Sequence, residues 1–156
     1  MIMFRFILTA ILIFSFDLVC NAQSERTAPT TNLSAGSSTA TFKSSPAFAE
    51  VILRKTELEA ELESLLINYT EEFPKVKEIR FEAESLKKAI LLISAIKTDE
   101  SSKLTLALGK LMVRKAELET DMWNLRKKYD DNHPDVKRAR RKIQVYESAI
   151  KEILKG

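Results

Sequence analysis

The sequence predicts an all-α protein: two tandem antiparallel coiled-coil helical hairpins, about four helices, following a signal peptide and a disordered linker. Three observations carry this. From about residue 47 the apolar side chains recur at alternating spacings of 3 and 4. The same stretch repeats at an offset of 60 residues. Only 3 glycines and 4 prolines punctuate the 156 residues, too few for a turn-rich all-β chain or a large α/β enzyme.

Residues 1–22 read as a secretory signal. Arg5 supplies the basic start, and an apolar run of about 11 residues follows before Asp17. That run is shorter than the roughly 20 residues a spanning helix needs, and small-residue preference puts cleavage after Ala22. The alternative is lipid attachment at Cys20, for which Val19 is a poor preceding residue. Residues 23–46 are rich in Ser, Thr and Ala and should form a disordered tether, because they bury too little surface to offset their ordering entropy. Asn32 and Asn68 head glycosylation acceptor patterns that matter only in a eukaryotic source.

Hairpin one spans 47–97 and hairpin two 104–156, with a polar link at 98–103. Residues 51–95 lie over 111–155 without a gap and match at 14 of 45 positions. In the first unit Phe48, Val51, Lys55, Leu58, Leu62, Leu65 and Tyr69 form a 3–4 seam, resumed by Val76, Ile79, Ala83, Leu86, Ile90 and Ile93. That spacing is the seam of a coiled coil. Pro74 and Pro134 mark new helix starts, since proline suits a first turn and breaks an interior. Short connections before each proline make the helices antiparallel neighbours of about 20 residues, roughly 30 Å. Ser45 and Pro46 read as N-cap and first turn. Off-seam apolar residues (Ile52, Leu53, Leu91 and Leu92; Met112, Val113 and Leu154) predict that the two hairpin bases pack together, as a four-helix bundle or a dimer interface. The seam lysines Lys55 and Lys115 should pack their stems and keep their ammonium groups in water.

At the turns the pattern becomes recognisable. Tyr129, Asp130, Asp131, Asn132, His133, Pro134, Asp135 and Val136, after a Leu/Glu-rich helix, resemble the periplasmic coiled-coil hairpin of bacterial polysaccharide co-polymerases. These are the chain-length determinant and exopolysaccharide export proteins, including those fused to tyrosine kinases. Tyr69, Phe73, Pro74 and Val76 repeat the pattern with Phe73 in place of the histidine. The flanking membrane spans and phosphate-loop kinase of that family have no counterpart in these residues. The resemblance therefore implies shape, a periplasmic or other extracytoplasmic bacterial setting and a helix-packing role, not control of chain length.

Little in the composition supports catalysis. One cysteine, one histidine and no Gly-rich loop leave no material for a four-cysteine zinc site or a phosphate cradle. Hence no catalytic residue, metal or cofactor is expected. His133 should serve the turn, and Tyr69 and Tyr129 should pack on the prolines that follow. The net charge of −2 over 51–95 and +4 over 111–155 separates the units. Tip one carries Leu66, Ile67 and Phe81, a candidate contact for a protein partner. Tip two carries Arg126, Lys127, Lys128, Lys137, Arg138, Arg140, Arg141 and Lys142, a candidate contact for anionic polysaccharide or lipid headgroups. The export signal argues against nucleic acid. The resulting expectation is a non-catalytic exported adaptor that contacts protein partners, itself included, by helix packing. The competing expectation is a periplasmic chaperone-like or polyanion-binding protein using the basic tip.

Overall fold

The computed structural model describes residues 42–156, all within one compact unit, and the expectations for the signal segment and most of the tether lie outside them. Among the described residues the chain is helical, with no strand. Helix α1 runs Pro46–Leu66, α2 Pro74–Ser94, α3 Leu106–Arg126 and α4 Pro134–Lys155, with a 3₁₀ helix at Thr98–Lys103 between α2 and α3. Both hairpins therefore form, and α3 starts and ends 60 residues after α1, as the repeat requires.

Ser45 caps α1 by accepting from the Phe48 amide at 3.2 Å, and Thr105 caps α3 by accepting from the Leu108 amide at 3.2 Å. The repeat thus reaches back to 45 and 105. Residues 42–45, at the end of the predicted tether, pack on the start of α1. The Phe42 ring meets Phe48 edge-on with centroids 5.6 Å apart, and the Ser45 hydroxyl donates to the Phe42 carbonyl at 2.6 Å. Two aromatic rings supply the apolar contact that the Ser/Thr-rich composition lacks.

Leu58, Leu86, Ile93, Leu108, Val51, Ile79, Val76 and Val136 are the largest fully buried side chains. Full burial of each contributes on the order of 1.5–3 kcal/mol. The hairpins do not form a symmetric four-helix bundle. Helix α3 packs on α1, α2 and α4, whereas α4 rests mainly on α3. The α1–α3 pair is parallel: the Ala47 amide donates to the Leu104 carbonyl at 3.3 Å, and Gly109 sits against Ala47 and Glu50. Near the other end, Phe81 of α2 stacks on Trp123 of α3. The bases do join, since Met112 is buried and Val113 and Leu154 pack on the core. Contact continues along α3 almost to the tips, and Leu53, Leu91 and Leu92 at the base stay exposed. Small residues allow this, because Gly109, Ala116 and Thr120 let α3 approach hairpin one closely. Lys103 ties the link to α4, donating to the Leu154 carbonyl at 2.9 Å.

Candidate functional site

Because α1 and α3 are parallel, both hairpin tips lie at one end of the unit. Each tip is built the same way. The Asn68 and Tyr69 amides donate to the Leu65 carbonyl, and the Lys128 and Tyr129 amides to that of Leu125. This returns each tyrosine ring onto the side chain four residues ahead. Tyr69 stacks on Phe73 at 4.1 Å between centroids, and Tyr129 on His133 at 3.9 Å, both inclined by 15°. The rings therefore pack on the residue before the proline. Any flat ring satisfies that contact, which is why phenylalanine and histidine interchange between the tips.

Tip two adds polar closure. The Asp130 carboxylate accepts from the Asn132 and His133 amides at 2.9 and 3.0 Å, and His133 Nδ1 accepts from the Asp135 amide at 3.3 Å. His133 thus caps α4, whereas Phe73 leaves α2 without a side-chain cap. Asp131 is clasped by Arg126 at 2.7 Å and Arg140 at 3.2 Å, and Arg80 pairs with Glu71 at the matching place in tip one.

These bonds divide the basic cluster. Arg126 and Arg140 are held by Asp131, Arg138 by Asp135 at 3.0 Å, and Lys127 lies 3.1 Å above the Trp123 ring. Lys128, Lys137, Arg141 and Lys142 are exposed and form no ion pair among the described residues. The apolar trio divides as well. Ile67 is 80% exposed, Leu66 is half-buried, and Phe81 is covered by Trp123 at 5.0 Å between ring centroids. Phe81 is an internal contact between the hairpins, partly buried by that stack. The seam lysines pack their stems and pair their ammonium groups, Lys55 with Glu59 and Lys115 with Glu119 and Glu147.

Asn124 donates to Glu78 at 2.8 Å, a second hydrogen-bonded link between the hairpins near the tips. Burial pushes the Glu78 carboxyl up, but the hydrogen bonds from Lys75 and Asn124 outweigh it and hold the group below its usual range. A depressed carboxylate contributes stability above its unfolded value and loses it as pH falls through the folded one. Acid should therefore loosen the joint between hairpins. Urea melts at pH 7 and near pH 3 are expected to differ less for Glu78→Gln than for the parent chain; an equal difference would remove Glu78 from the account.

The most enclosed concavity has no counterpart in the sequence pattern. Because α4 rests on α3 and leans away from α2, a groove of about 350 Å³ opens between α2 and α4 with α3 as its floor. Ala89, Leu92, Met112, Ala116, Ile150 and Leu154 give it apolar walls. Lys88 and Lys151 stand on opposite rims, exposed and without ion pairs among the described residues, while Glu119 and Glu147 are engaged by Lys115. Sequence spacing alone places these residues on three separate helices. The available signal was the off-seam leucines, which mark helix faces that a four-helix closure would have covered.

Among the described residues, no three His, Cys, Asp or Glu groups are placed to hold a metal ion, and no helix is long and apolar enough to cross a membrane. No protein-family model, curated protein or solved structure matches the chain.

Proposed function

We propose that this chain is a non-catalytic helical scaffold of the bacterial envelope, beside polysaccharide-export machinery, and that it works by receiving a partner helix. The observation that carries the reading is the groove between α2 and α4, with apolar walls and a free lysine on each rim. Such a channel suits an amphipathic helix whose apolar stripe is flanked by acidic residues. The envelope setting rests on the likeness of the two tyrosine-to-proline tips to the co-polymerase hairpin.

A synthetic amphipathic peptide of about 20 residues, with leucines at 3–4 spacing and flanking glutamates, tests this. Titrated into the full chain, it is expected to shift the methyl resonances of Leu92, Met112 and Leu154 saturably. Leu92→Glu, a substitution at an exposed rim position, should weaken binding about tenfold or more. If those methyls stay unmoved, the groove does not receive helices. A second reading, binding of an anionic polymer, is favoured by the four unpaired cations Lys128, Lys137, Arg141 and Lys142. A sulfated polysaccharide in the same titration should then move those amides instead, with an affinity that falls steeply as salt rises.

A further inference from the structure

The repeat shows how one hairpin receives the next, and it leaves both halves of that joint available on the outside of the chain. Hairpin two docks on hairpin one through one stripe of α3. Gly109, Ala116 and Thr120 on that stripe are buried, and Trp123 covers Phe81. The residues 60 positions earlier, Ala49, Thr56, Ala60 and Glu63 of α1, are all exposed. The receiving surface behaves in the same way. Ser85 is buried, and Glu78 and Phe81 are engaged by Asn124 and Trp123. Their counterparts on α4, Val145, Arg138 and Arg141, are exposed, Val145 to 66%.

We infer that a second copy of this chain docks its α1 stripe on the outer face of hairpin two, so that the internal joint between hairpins is repeated between molecules. Charge supports this occupant. Helix α1 holds five glutamates against Arg54 and Lys55, a net charge of −3, and α4 holds seven cations against three acids, a net charge of +4. At the position where Trp123 meets Phe81 inside the chain, repeat equivalence sets Glu63 of one copy against Arg141 of the other. An aromatic stack is replaced by an ion pair, and neither Glu63 nor Arg141 has an ion-pair partner among the described residues of its own chain. The joint is head-to-tail, with different surfaces on its two sides, so it extends into open or ring-shaped assemblies instead of stopping at a symmetric pair. It is also weaker than the internal one. Ala49 stands where Gly109 stands, and a Cβ at Gly109 would lie 2.8 Å from the Cβ of Glu50. The copies must sit slightly farther apart, leaving association dependent on charge.

The inference rests on the reading that the chain acts by helix contact, but it uses the outer face of α4 and not the groove. Sedimentation of the full chain tests it separately from the peptide titration. At about 0.02 M salt the average mass should rise with protein concentration, and at about 0.5 M it should return to the monomer. Glu63→Arg and Arg141→Glu should each weaken association about tenfold or more, and mixing the two variants should restore it. Ala49→Gly should tighten association even though glycine weakens a helix interior. A chain that stays monomeric at low salt, or reversals that associate like the parent, overturns the inference. Peptide binding in the groove would then still stand.

Discussion

Gly109→Val is expected to lower the stability of the folded unit by about 3 kcal/mol or more and to separate the two hairpins before their helices melt. A Cβ at this position would lie 2.8 Å from the Glu50 Cβ, 2.9 Å from the Ala47 carbonyl oxygen and 3.0 Å from the Ala47 Cα. These atoms belong to the backbone of α1 or lie next to it, so no side-chain rotation relieves the contact and α1 and α3 must move apart. Alanine at 109 would gain about 1 kcal/mol of helix propensity and still lose to overpacking of about 1–3 kcal/mol. Valine adds two methyl groups to the same clash. The expected signature is an early change in Trp123 fluorescence in a urea melt, as the ring leaves Phe81, while far-ultraviolet dichroism keeps most of its helical signal. Ala49, the counterpart of Gly109, is exposed, and Ala49→Val should change stability by no more than about 0.5 kcal/mol. Coincident melts at the parent midpoint for Gly109→Val would mean that the close approach of α1 and α3 does not hold the hairpins together.

That contrast between two equivalent positions shows what the sequence made legible. The hairpins could be read because each seam is a local pattern. Val51, Leu58, Leu86 and Ile93 repeat at helical spacing, the prolines fix the second helices, and Ser45 announces a cap. The docking of one hairpin on the other is written instead in departures from the repeat. Gly109 replaces Ala49, Trp123 replaces Glu63 and Asn124 replaces Ser64. Each of these looks like a surface residue on a single helix, and only the partner helix gives it meaning. Phe81 looks like a free apolar residue on α2 for the same reason, since the tryptophan that stacks on it lies 42 positions away. The basic cluster was legible as composition, but the division into held and free cations depends on where Asp131, Asp135 and Trp123 lie in space. The groove needs the relative placement of α2 and α4, which no spacing rule supplies.

Arg54→Met is expected to cost about 2 kcal/mol, and adding Glu82→Leu should recover most of that loss. Arg54 of α1 reaches across to α2, and its Nε and Nη2 donate to Glu82 Oε1 at 3.0 and 2.8 Å. Glu82 is only 8% exposed. Burial alone would lower the pKa of Arg54, but the hydrogen bond and charge of Glu82 outweigh it and keep the guanidinium charged. Methionine preserves the packing of the arginine stem and removes the charge, leaving a buried carboxylate without its cation. A fully buried pair broken this way loses about 3–5 kcal/mol, and the partial exposure of the arginine reduces that figure. The second substitution removes the stranded carboxylate, so a double-mutant cycle should show coupling of about 1–2 kcal/mol between the two sites. Hairpin two supplies the control, because Lys142 stands where Glu82 stands and Arg114 pairs with the half-exposed Glu117 on its own helix. Arg114→Met should therefore stay within about 0.5 kcal/mol of the parent. Equal losses at the two arginines in urea melts would place the cost in the arginine stem; a loss confined to Arg54 places it in the burial of Glu82.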